Sequence, residues 1–115
     1  MEKKTYIYDT SKGFSCFIKH YYGDKMTIDV CTKKKNFTIE GLENYKICFF
    51  FVNDMDDYFN LIKIYTRIEY FFICTTNKII REKINKLNYE DVFFLDFNDN
   101  KHELLETINY NLMLI

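Results

Sequence analysis

Ile47-Cys48-Phe49-Phe50-Phe51-Val52 is a run of six apolar residues with no polar alternation. A strand with one wet face alternates, so the stretch from Tyr45 to Val52 reads as a central strand covered on both faces. Tyr70-Phe71-Phe72-Ile73-Cys74 and Val92-Phe93-Phe94-Leu95 repeat the pattern downstream. Two more strands precede them. Thr5 to Asp9 is a short β-branched and aromatic run, and Met26, Ile28 and Val30 alternate with Thr27, Asp29 and Cys31, which suits an edge strand.

Between the strands the spacing changes to that of helices. Phe14, Phe17, Ile18, Tyr21 and Tyr22 recur at helical intervals, as do Tyr58, Leu61, Ile62 and Tyr65, then Ile79, Ile80, Ile84 and Leu87. Leu104, Leu105, Ile108 and Leu112 form the stripe of a closing helix that runs almost to Ile115. Phe37 to Asn44 is too short for more than a turn or two of helix. Strands that need cover on both faces, joined by right-handed helical crossovers, predict an α/β protein: a three-layer α/β/α sandwich on a five-stranded parallel sheet of order 2-1-3-4-5.

The 115 residues suffice for one domain, expected to span 1–115, and the 48% apolar content is too high for disorder. A formal charge of −1 supplies no field for nucleic acid or an anionic membrane, and no apolar run approaches the ~20 residues that span a bilayer. Met1 to Thr5 has neither the apolar core nor the cleavage site of a secretory leader. Cys16, Cys31, Cys48 and Cys74 are widely spaced and read as buried or half-buried free thiols, expected in a reducing cytoplasm, rather than as disulfides or a zinc site.

In a doubly wound sheet, ligands collect beyond the carboxyl ends of the strands, where the strand order reverses. The segments to inspect are Asp9 to Ser15, Asn53 to Asp57, Thr75 to Asn77 and Asp96 to Asn100. Acidic and hydroxyl residues there also serve as ordinary helix caps, the expectation for Asp56 and Asp57. His20 and His102 read as surface histidines without a nearby carboxylate and nucleophile, and Lys33-Lys34-Lys35 as a solvated loop.

Over nearly its whole length the chain resembles the receiver domains of bacterial response regulators. The fourth strand ends at Thr75-Thr76, where receivers have a Thr or Ser, and Phe94-Leu95-Asp96-Phe97 leads into a helix with the Leu104-Leu105 pair. The resemblance implies a phosphoacceptor at Asp54, following Asn53, and Mg²⁺ held by an acidic pair after the first strand, where only Asp9 is acidic and Thr10 follows it. The family's lysine after the fifth strand is replaced by Asp96 and its proline is missing, so a charge that would hold a phosphoryl group has become one that repels it. Asp9, Asp54, Thr75 and Asp96 therefore read as a degenerate pocket, with weak Mg²⁺ binding at Asp9 and Asp54 as the most it offers. Lys101 reads as a solvated first-turn lysine.

The function this resemblance implies is a stand-alone, phosphorylation-independent regulatory module that binds a protein partner and needs no cofactor. Receivers commonly pair through the face corresponding here to Lys78 to Leu87, Val92 to Leu95 and His102 to Ile115, with Tyr89 and Tyr110 as candidate contacts; a homodimer would use it. A competing and shorter resemblance places Thr10-Ser11-Lys12-Gly13-Phe14-Ser15 beside the flavodoxin phosphate loop, although Lys12 stands where that family has Thr. It implies an FMN-binding redox protein holding the phosphate with Thr10, Ser11, Gly13 and Ser15, yet the later turns offer no aromatic or glycine walls for a flavin ring.

Overall fold

The computed structural model describes residues 4–87, 92–96 and 100–115. Five parallel strands, β1 (Lys4–Tyr8), β2 (Thr27–Cys31), β3 (Ile47–Val52), β4 (Tyr70–Thr75) and β5 (Val92–Asp96), lie in the order β2-β1-β3-β4-β5, as the apolar runs predict. β3 sits mid-sheet with all six residues buried, and β2 lies at an edge with a mixed pattern of exposure. Register places Tyr8 beside Phe50, Phe49 beside Phe72, and Phe72 beside Phe93. Their rings meet across the strands at centroid separations of 4.3, 4.6 and 5.0 Å, so aromatic contacts reinforce the backbone ladder at these pairs.

The sheet separates two buried clusters. Helices α1 (Gly13–Tyr22) and α4 (Lys101–Met113) cover one face, packing Phe14, Ile18, Leu104 and Ile108 onto Ile7, Phe49, Phe51 and Phe72. Helices α2 (Met55–Ile64) and α3 (Lys78–Asn85) cover the other, with Leu61, Ile64, Ile80 and Ile84 against Tyr8, Phe50, Val52 and Ile73. Alternate residues of one strand thus serve opposite cores, which is why β3 tolerates no polar residue. The connection from β2 to β3 holds two 3₁₀ turns, Lys34–Asn36 and Leu42–Asn44, the second preceded by Gly41 in the left-handed region at φ 78°.

Each helix begins on a polar residue beyond the carboxyl edge of the sheet. Asp54, Asn77 and Asn100 cap α2, α3 and α4 with their own side chains, accepting from backbone N–H groups of the first turn. α1 differs, because its N-cap residue Lys12 adopts φ 69° and gives no side-chain cap. α1 ends at Gly23, where a Cβ would lie 2.5 Å from the Lys19 carbonyl oxygen, an approach only glycine permits. No helix among the described residues is long and apolar enough to cross a membrane.

Candidate functional site

The order of the sheet reverses between β1 and β3, so the loops after these strands flank the crevice where this architecture holds ligands. Asp9, the first residue after β1, has no exposed surface. One carboxylate oxygen accepts from the Ser11 N–H at 3.0 Å and the Ser11 hydroxyl at 2.5 Å, and the other accepts from the Ser15 N–H at 2.8 Å. Asp9 is therefore the cap that Lys12 cannot provide, reaching forward to the first turn of α1. Both of its oxygens are engaged by the chain itself.

Across the crevice, Asn53 donates from its side-chain amide to the Thr10 hydroxyl at 3.0 Å and ties the two loops together. Asp54 caps α2 by accepting from the Asp57 N–H at 3.0 Å with one oxygen. Its other oxygen is ion-paired with Lys34, whose ammonium also reaches Asp56 at 3.5 Å. The hydrogen bond from Lys34 holds the Asp54 carboxyl below the usual carboxylate range, and the same contact raises the Lys34 ammonium above the usual lysine value. Lys34 belongs to the basic triplet that reads as solvated, and it is exposed as expected; the fold of the β2–β3 connection also brings it onto the start of α2.

Asp57 corrects the sequence reading. It is not a solvated cap residue but fully buried, and its carboxylate accepts from the Tyr8 hydroxyl at 2.7 Å and the Asn53 N–H at 2.9 Å. Asn60 donates in turn to the Tyr8 oxygen at 3.2 Å. Burial, then the hydrogen bond to Asp57, raise the Tyr8 hydroxyl far above the ordinary tyrosine value. A polar chain of Tyr8, Asp57, Asn53 and Thr10 thus runs from the core to the crevice rim.

The remaining candidates divide. Thr75 is buried at the end of β4 and its hydroxyl accepts from the Asn77 N–H at 3.1 Å, the role of a turn residue. Asp96 closes β5 in register with Thr75. The expected orientation of the Asp96 side chain lies outside the described residues, as does the expectation for Tyr89. In the Thr10–Ser15 loop the hydroxyls are committed within the chain, Ser11 to Asp9, Thr10 to Asn53 and Ser15 to the Lys12 carbonyl at 3.0 Å. A phosphate group seated there would have to displace a buried carboxylate from the same N–H groups, so the loop does not fit the FMN phosphate in this conformation. Among the described residues no three of His, Cys, Asp and Glu are placed to hold a metal ion.

One outlying side chain differs from expectation. Cys16 is exposed, while Cys31, Cys48 and Cys74 are buried, burial pushing the Cys48 thiol upward. His102 is a surface histidine, as expected, and lies 2.9 Å from the Glu106 carboxylate one helical turn on. His20 lies four residues past the Cys16 thiol on α1.

Comparison with known proteins bears on the fold. No family model matches the sequence, and no curated protein matches it. Among solved structures, the chain is similar to a CheY-like response regulator receiver domain protein from Methanospirillum hungatei JF-1, at TM-score 0.70 and 16% identity over 98% of this chain and 95% of that one. It is similar as well to the BeF3-activated DrrB receiver domain, at TM-score 0.68 and 16% identity over 98% and 99% of the two chains. Chemotaxis protein CheY4 of Vibrio cholerae gives 0.63 and 14% over 96% and 98%. The chain has the receiver-domain fold along almost all of its length.

Proposed function

We propose that this chain is a receiver-like regulatory module that acts by binding another protein and does not depend on phosphoryl transfer at Asp54. The observation that carries the reading is that the acidic oxygens at the crevice are already spent. An accepting aspartate needs one oxygen free for in-line attack, and the incoming phosphoryl group needs a cation to neutralise it. Asp9 spends one oxygen on Ser11 and the other on Ser15 of α1, and Asp54 divides its two between the cap of α2 and Lys34. The ammonium of Lys34 already supplies a positive charge at Asp54, and Thr10 stands where the family has its second acidic residue.

The surface for a partner, or for a second copy of this chain, is the face built from α3, β5 and α4. Ile79, Phe94, Tyr110 and Met113 are exposed apolar side chains on those elements, with Ile79 67% and Tyr110 65% accessible. Incubation of the full chain with Mg²⁺ and a small acyl phosphate, beside an active receiver as control, tests the proposal by intact mass. The expected result is an unchanged mass while the control gains a phosphoryl group; an adduct on Asp54 would overturn it. Asp54→Asn keeps the cap and is expected to leave association through the α3–β5–α4 face unchanged, as read by sedimentation.

A further inference from the structure

We infer that the outer side of α1, where it meets the start of α4, binds a small planar organic anion, an aromatic ring carrying a carboxylate or phosphate. Gly13, Cys16, Phe17, His20 and Tyr21 of α1 and Lys101 of α4 line an open pocket of about 370 Å³. That volume falls within the span of small-molecule sites, roughly 300–1,000 Å³. None of these residues belongs to the crevice cluster of Asp9, Asn53, Asp54 and Lys34, so the pocket stands independently of the regulatory reading.

The chemistry of the walls selects the ligand class. Phe17 and Tyr21 lie one turn apart with ring centroids at 5.1 Å, and the His20 ring meets Tyr21 edge-on at 4.8 Å, which gives a flat ligand an aromatic wall to lie against. Among the described residues no carboxylate lines the pocket, whereas Lys101 brings its ammonium to the opening. Lys101 takes part in no ion pair among the described residues. Lys101 is the first residue of α4, so the positive end of that helix's dipole lies at the same opening. At Gly13 a Cβ would meet nothing within 4 Å, which leaves the mouth clear and makes the pocket fillable without a clash.

The test is amide NMR of the full chain titrated with indole-3-acetate and phenyl phosphate, against the uncharged analogue tryptophol. Saturable shifts centred on Gly13, Cys16, Phe17, His20, Tyr21 and Lys101 are expected, with tryptophol at least fivefold weaker. Lys101→Glu should weaken the anions at least fivefold, and Gly13→Leu should abolish binding while the rest of the spectrum stays folded. As a second readout, saturating indole-3-acetate should slow alkylation of Cys16 by iodoacetamide at least twofold. Equal affinity for tryptophol, insensitivity to Lys101→Glu, or shifts centred elsewhere would overturn the assignment.

Discussion

Asp57 and Tyr8 form a buried pair whose members depend on each other for hydrogen bonding, since neither reaches water. Replacing Asp57 with alanine leaves the Tyr8 hydroxyl and the Asn53 N–H short of an acceptor and is expected to cost about 3 kcal/mol, read as a lower urea midpoint. Tyr8→Phe keeps the stack on Phe50 and the Asn53 contact of Asp57 but leaves the other oxygen of that buried carboxylate without its donor, so it should cost about 2 kcal/mol. Lys12 presents the opposite case, a side chain in a backbone conformation that favours glycine. Lys12→Gly relieves that strain and is expected to stabilise the protein by about 1 kcal/mol on the same measurement.

At the scale of elements, the start of α2 and the β2–β3 connection are joined by one ammonium. Asp54→Ala removes both the cap and the ion pair and should destabilise by about 1 kcal/mol through the cap alone, whereas Asp54→Asn retains the cap. Because the Asp54 carboxyl is lowered, its contribution is present above the ordinary carboxylate range and fades as pH falls through the depressed value; because Lys34 is raised, its contribution fades only as pH rises through its own elevated value. Carbon-detected titration should therefore find the Asp54 carboxyl below its usual midpoint in the native protein and returned upward in Lys34→Met. The strands, the helices and their order are legible in the sequence, since apolar runs and helical spacing are local signals. The partners of the site are not. Lys34 reaches a residue 20 positions away, Tyr8 one 49 positions away, and nothing local to Asp57 distinguishes a buried carboxylate from a solvated cap. Asp9 was legible as an acidic residue at the right edge, but the three donors that occupy it follow from the left-handed turn at Lys12, which its sequence does not announce.

For the whole molecule, the tyrosines set the alkaline limit. Burial raises Tyr6 and Tyr8 well above the ordinary value of 10.0, and burial with the hydrogen bond to Asp29 pushes Tyr45 up to about 12. Above the ordinary value the unfolded chain releases tyrosine protons that the folded chain keeps, so this contribution is fully present below it and is lost as pH rises toward the folded values. The urea midpoint is expected to hold up to about pH 10 and to fall as pH rises from there toward about 12, with tyrosinate absorbance lagging until the fold opens. The hexad Ile47–Val52 has a further consequence, at the moment of folding. Inside the sheet it is paired on both sides and covered on both faces. In a nascent or denatured chain the same uncharged, proline-free segment is a template for cross-β aggregation, restrained only by Lys46 before it and Asp54 just after it acting as gatekeepers. Strand β1 must find β3 across some forty intervening residues before another chain does, so recovery from denaturant becomes a race decided by dilution.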